Sequence, residues 1–330
     1  MEVLINGQDL MERGVTNLAM LRPVLAANAG IEDMLAGNAT LRYEEWQRVD
    51  DRINMVFRER LTVVDDLRSR GLIEPVSLGT VLRVTERLED FDDAEISFDG
   101  DTAPTGDRPS FQRDVRPVPV IAKDFRVNWR QLDASRNRGD PLDVTAGEVA
   151  ARKVRDKLQD LITNGLATGG PSGGGIPGLT TAANRLTSAL TYAWDSPDAT
   201  IIADTESALA TAYASNLFGP FVMYVAKNYW AVLQGDYNQN KGDRTYMERI
   251  LAFEDIEAIR PNDALADDNV LLVQMTRDVI DLSEAQMPTT VQWEKNPFVT
   301  NFRVLTVAGP QIKSIETDQG TTINGIVHLS

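Results

Sequence analysis

Gly173, Gly175 and Gly178 stand at the spacing G-x-G-x-x-G, and Asp198 lies further along the chain. Glycines so spaced, with an acidic residue roughly twenty positions on, are the fingerprint of dinucleotide binding. The surrounding residues argue against that chemistry. In a nucleotide-binding βαβ unit the glycine loop follows a strand and opens a helix, whose N-terminus faces the pyrophosphate. Here the loop follows a helical stretch ending in "LQDLITNG". A phosphate would therefore meet the negative end of a helix dipole. Pro177 removes one backbone donor from the cradle, and no Gly-Lys-Ser/Thr follows to make a P-loop. The glycines are expected to turn the chain instead: Gly165 caps the preceding helix, and "GGPSGGGIPG" acts as a flexible reversal between subdomains.

Other chemistry is limited by what the chain lacks. It has no Cys and a single His, His328. Thiol nucleophiles, disulfides, Cys-type zinc sites and multi-His metal sites are excluded. A Ser-His-Asp triad would have to use His328 in the strand-like "GIVHL", where an ordinary polar residue at a strand end is the expectation. Asp and Glu number 49 among 330 residues, so carboxylate pairs are too common to point anywhere. No enzyme activity, cofactor or metal is expected.

Composition sets the class. Hydrophobic content of 42% and charged content of 25% are ordinary for a globular chain. No apolar run approaches the roughly 20 residues of a membrane span. The start, "MEVLINGQDLMERG", has no basic region or long apolar stretch, so a signal peptide is not expected and the cytoplasm is the expected compartment. A net charge of −16 disfavours general attraction to nucleic acid and favours solubility at high concentration.

The elements that would position functional residues follow from periodicity. Residues 1–42 read as a loose arm broken by Pro23, Gly30 and Gly37. From Tyr43 to about Arg70 the spacing of Trp46, Val49, Ile53, Val56 and Phe57 predicts a helix, with Gly71 as its stop. Residues 79–130 predict two long strands around a charged tip, with a bulge near Lys123–Asp124 where the alternation changes phase. Two-stranded ribbons are marginal in water and open edges invite association, so a neighbouring subunit is expected to support this one. Phe91, Phe98 and Phe111 are its candidate anchors, either on that neighbour or on the chain's own domain. Arg108, Arg113 and Arg116 are candidate interface residues on the same ribbon, Arg being suited to planar contacts. Asp140–Pro141 opens a long helix with Val154, Leu158, Leu161 and Ile162 on its apolar face and an i,i+4 pair of Glu148 with Arg152. After the glycines the pattern is α/β: a helix from Asp204, a buried strand "FVMYVAKN", short helices in "YWAVLQG" and "TYMERILAF", and strands "IEAIRP" and "NVLLVQM". Two more strands turn at Asn296–Pro297.

The order of these parts resembles the major capsid proteins of tailed bacteriophages, of the Hong Kong 97 type, and the related encapsulins. The residues that carry the likeness are "YEEWQRVDDRI", "LGT", the long hairpin, "PVPVIAKDFRVNWRQL", "DKLQDLITNG" and "GIPGL", over residues 40 to 320. The resemblance implies an α+β fold: an N-terminal arm (1–42), a peripheral domain (43–78 and 119–184) with a spine helix at about 141–165, an extended E-loop (79–118), an α/β axial domain (185–285) and return strands to the peripheral domain (286–330). It implies a homo-oligomer of pentamers and hexamers that forms an icosahedral virion capsid around double-stranded DNA in the host cytoplasm. It further implies a separate scaffolding protein, a portal and room for a decoration protein, with no membrane.

The alternative is an encapsulin enclosing a cargo enzyme; the arm before Tyr43 favours the phage reading, because encapsulins usually begin near the equivalent helix. A third reading is an α/β enzyme using carboxylates alone. Some capsids of the family join an E-loop Lys to an Asn of a neighbour. No Lys lies between Glu86 and Val118, the nearest being Lys123, so a shell held by non-covalent contacts is expected.

Overall fold

The computed structural model describes residues 51–53, 55, 61–88, 98, 111–128, 145–168, 174–196, 199–237, 244–296, 299–316 and 321–330. The N-terminal arm, Phe91 and Arg108 lie outside the described residues, as do Gly173 and Asp198. The chain divides into two compact units. The smaller comprises 1–53, 124–148 and 290–303; the larger comprises 54–123, 149–289 and 304–330.

Helix α1 (Thr62–Ser69) buries Val63, Val64 and Leu67. It is a new helix: Leu61 sits at φ −84°, ψ 64°, and its carbonyl accepts the first helical bond, from Asp65 N–H at 2.8 Å. The single helix predicted to Arg70 is therefore interrupted before α1. Leu61 is buried there, as are Val63 and Val64. The stop is as predicted. Gly71 takes φ +68°, its N–H donates to Arg68 O, and Leu72 N–H donates to Leu67 O. Both bonds of a left-handed helix cap are thus made.

Strands β1 (Ile73–Pro75), β2 (Leu82–Leu88), β3 (Phe111–Pro117) and β4 (Val120–Asn128) come next. β2 and β3 make a two-stranded antiparallel sheet of their own. In β4 the more buried side chains are Ile121, Phe125 and Val127, while Val120 is exposed. One phase therefore runs through Lys123–Asp124; the change expected there falls earlier, between buried Val118 and β4.

Helix α2 (Thr145–Asn164) has 20 described residues, about 30 Å at 1.5 Å each. Val154, Leu158, Leu161 and Ile162 are buried as predicted. Glu148 pairs with Arg52 at 3.1 Å rather than with Arg152, so a tertiary partner displaces the helical one. Buried Asn262 ties this helix down: it donates to Thr163 Oγ1 at 2.9 Å and accepts from Gln159 Nε2 at 3.0 Å.

The larger unit holds a five-stranded sheet, ordered β5 (Leu186–Ser188), β13 (Ile326–Leu329), β8 (Val270–Gln274), β6 (Phe221–Ala226), β7 (Ile256–Asn262). β6 is parallel to β7 and antiparallel to β8. All six residues of β6 are buried, as expected for a strand covered on both faces. Helix α3 (Ile201–Ala214) packs on β5 and β13. Helices α4 (Lys227–Leu233) and α5 (Tyr246–Ile250) complete the layer. Trp194 and Tyr229 stack in this core at 5.3 Å. The last strand, expected among the return strands, instead lies inside this sheet, between β8 and β5; its four consecutive buried residues suit a central position.

β9 (Ile280–Asn296) and β10 (Val299–Ile312) belong to a sheet ordered β1-β9-β10-β4. In the smaller unit Phe125 stacks on Phe302 at 5.0 Å. There Arg303 grips Asp124 through Nε and Nη2 at 2.6 and 2.7 Å and lies over the Trp293 ring. Strands β11 (Ile315–Glu316) and β12 (Thr322–Ile323) form a small antiparallel pair.

Candidate assembly surface

Where it is described, from Gly174 on, the glycine segment caps a helix. The last four carbonyls of α2 have no helical partner, and each finds one here. Leu161 O accepts from Gly165 N–H, Ile162 O from Leu179 N–H and Thr163 O from Thr180 N–H, at 2.9–3.0 Å. Asn164 O accepts from Thr181 Oγ1 at 3.1 Å. Two backbones must cross closely for this. A Cβ on Gly165 would stand 2.3 Å from Ile176 O, and one on Gly178 would stand 2.3 Å from Gly165 N. The flexible reversal expected of this stretch is, at Gly165, Gly175 and Gly178, a tight contact between main chains.

His328 is equally structural. Its Nε2 lies 2.8 Å from Asn269 Oδ1, and its Nδ1 accepts from Arg185 Nε at 3.4 Å. Burial, reinforced by the Arg185 charge, holds its pKa below the ordinary histidine value.

The ribbon of β2 and β3 is where exposure departs from ordinary packing. Its register sets Leu82 opposite Pro117, Val84 opposite Val115 and Glu86 opposite Arg113. These residues share one face, since side chains alternate along a strand. The other face carries Arg83, Thr85, Asp114 and Arg116, with exposed Gln112 towards its far end. A strand normally turns its apolar face to its own body. This ribbon does the reverse. Val84 is 53% exposed and Val115 46%, with Leu82 and Phe111 also exposed, whereas Arg83, Thr85, Asp114 and Arg116 are partly buried. Between ribbon and body a gap of about 650 Å³ is lined by Thr85, Asp114 and Arg116 of this polar face, by the Glu86–Arg113 pair at the ribbon's edge, and by Asp278 and Lys313 from the body.

Of the residues expected at an interface, Phe98 is fully exposed and Phe111 is 60% exposed. Arg113 is paired with Glu86 across the ribbon at 3.1 Å, and Arg116 with Asp114 at 2.7 Å. Both arginines therefore have partners within the ribbon. Sequence reasoning missed Val84 and Val115, which period-two alternation with apolar cross-strand partners could have found. It also missed Arg83 and Asp281, which lie 198 positions apart and carry no local signal.

A family model described as a family of unknown function, DUF6260, matches residues 35–325. The type 1 encapsulin shell protein EncA of Myxococcus xanthus (strain DK1622) is 28% identical over 199 residues. That match covers 60% of this chain and 66% of the relative, just under two thirds of its length. Among solved structures, the virus-like particle from Pyrococcus furiosus superposes with a TM-score of 0.56 at 16% identity, over 85% of this chain and 98% of that one. The capsid of Myoviridae phage XM1 gives 0.58 at 13% identity, over 79% and 90%. The fold is that of tailed-phage capsid subunits and encapsulins, as the order of parts implied.

Proposed function

We propose, for a chain that belongs to the DUF6260 family, the role of a shell subunit whose copies self-assemble into a closed icosahedral container held by non-covalent contacts. The observation that carries this reading is the inside-out ribbon: its apolar face is open and its polar face is turned to the body. Covering the exposed parts of Leu82, Val84, Phe111 and Val115 contributes on the order of 1 kcal/mol each. A second copy is the natural cover, because a shell built from one subunit needs patches that meet different patches on the next copy. Pentamers and hexamers, with Phe98 and Phe111 as anchors, follow from this reading, and an enzymatic role does not.

The contents proposed are double-stranded DNA, in a virion capsid assembled in the host cytoplasm with a separate scaffold and a portal, and with room for a decoration protein. The net charge of −16 supports this, since such a wall does not adhere to packed DNA. A second reading, a compartment around a cargo enzyme, is favoured by the likeness to the Myxococcus shell protein.

Negative-stain microscopy of the purified full chain tests the shell. Closed particles are expected, and Val84→Asp with Val115→Asp should leave only small oligomers. A monomer at every concentration overturns the reading. Extraction of particles from the native source then separates the two contents: genome-length DNA or a packed protein.

A further inference from the structure

The root of the ribbon holds a charge cluster that the shell reading does not use. Asp281 of β9 is 1% exposed. Its Oδ1 accepts from Arg83 Nη1 at 2.7 Å, and its Oδ2 from Arg83 Nη2 at 3.3 Å. Lys313 Nζ lies 2.8 Å from the same Oδ2 and also donates to Arg277 O. Arg83 Nη1 further donates to Ser283 Oγ at 2.8 Å. A forked, charge-assisted contact of this kind fixes direction as well as distance.

We infer that Arg83, Asp281 and Lys313 form a latch that sets the direction of the ribbon in the single subunit, turning its apolar face outward before any neighbour arrives. Two features show why a latch is needed. Arg83 stands directly opposite Arg116 in the ribbon register, and like charges facing each other across strands repel. Asp114 compensates Arg116, and Asp281 compensates Arg83. Beyond this contact the ribbon borders the 650 Å³ gap, so among the described residues the buried carboxylate is its charged tether to the body.

The latch deepens the shell reading by assigning the ribbon's orientation to the free subunit, and its test does not depend on particles. Hydrogen–deuterium exchange is followed on the full chain, kept dissociated at low concentration, for peptides covering 82–88 and 111–117. In Arg83→Gln and Asp281→Asn both peptides should exchange about tenfold faster than in the parent, the effect of losing one charge-assisted anchor of a locally opening segment. Peptides of β6 and β8 should not change. Arg83→Lys keeps the charge without the fork and should fall between. Unchanged ribbon exchange in both variants overturns the latch. So does a rise of equal size in β6 and β8, which is loss of the fold rather than release of a tether. Failure to form particles in the parent protein removes the shell reading and leaves the exchange comparison to decide the latch.

Discussion

Asp204 is 2% exposed and sits in the first turn of α3, where its carboxylate gathers a loop around itself. It accepts from Trp194 Nε1 at 3.0 Å, Thr191 Oγ1 at 2.8 Å and Thr200 Oγ1 at 3.2 Å. Asp204→Ala orphans the buried indole N–H of Trp194, while exposed Thr191 can turn its hydroxyl to water. The expected cost is about 2–4 kcal/mol, read as a fall in the urea midpoint of the dissociated subunit. His328 gives a second residue-level prediction. Its pKa is depressed in the folded state because burial disfavours the cation and Arg185 repels it. Between the folded and unfolded values the unfolded chain binds more protons, so stability rises with pH there. The contribution is complete above about pH 6.5, the ordinary histidine value, and is lost as pH falls through the folded value. Thermal melts from pH 7.5 to pH 5 should show this slope, and His328→Gln should remove it. An identical slope in the variant would assign the effect to other groups.

At the scale of elements, the crossing of Gly165 with Gly178 makes the end of α2 sensitive to one methyl group. The Cβ of Gly178→Ala would meet Gly165 N, Asn164 C and Thr163 O within 2.7 Å, all main-chain atoms that cannot swing away. The expected loss is about 3 kcal/mol or more, by strain and by release of the carbonyl caps. Gly174 has nothing within 4 Å of its added Cβ, so Gly174→Ala is the control and should leave the melting temperature unchanged. The helix and its glycine stop were legible in sequence, because a period of 3.6 and a cap are local signals. The hydrophobic runs of β6, β8 and β13 were legible as strands, β6 as a buried one, because they too are local signals. Their order was not. Nothing in "GIVHL" says that it enters between β8 and β5, since that depends on pairing with residues 186–188 and 270–273. The break at Leu61 was hidden because the residues around it keep a helical pattern and nothing local marks a stop there. The ribbon was legible as an element, yet its inverted faces were not, since alternation alone does not say which side meets the body.

For the molecule as a whole, the proposed shell raises the question of what would hold its copies together. With no Cys in the chain, disulfide locking between subunits is excluded, and with no Lys between Glu86 and Val118 the ribbon offers no amine for an isopeptide bond. Its cations are guanidiniums, which pair strongly but do not form amide links. Cohesion then rests on apolar burial and on charge pairs, and these differ in their response to salt. Surface pairs weaken as ionic strength rises, because the screening length falls to about 3 Å at 1 M, whereas exclusion of apolar surface from water does not weaken. A subunit of net charge −16 also repels its neighbours at low salt. Particles held mainly by the ribbon's apolar face should therefore be as stable at 1 M sodium chloride as at 0.1 M, or more so, when followed by light scattering against temperature. Denaturing electrophoresis of the same particles should give one band near 36.4 kDa. A ladder of multimers would show covalent bonds made elsewhere, and dissociation by salt alone would assign the cohesion to charge pairs rather than to the Val84–Val115 face.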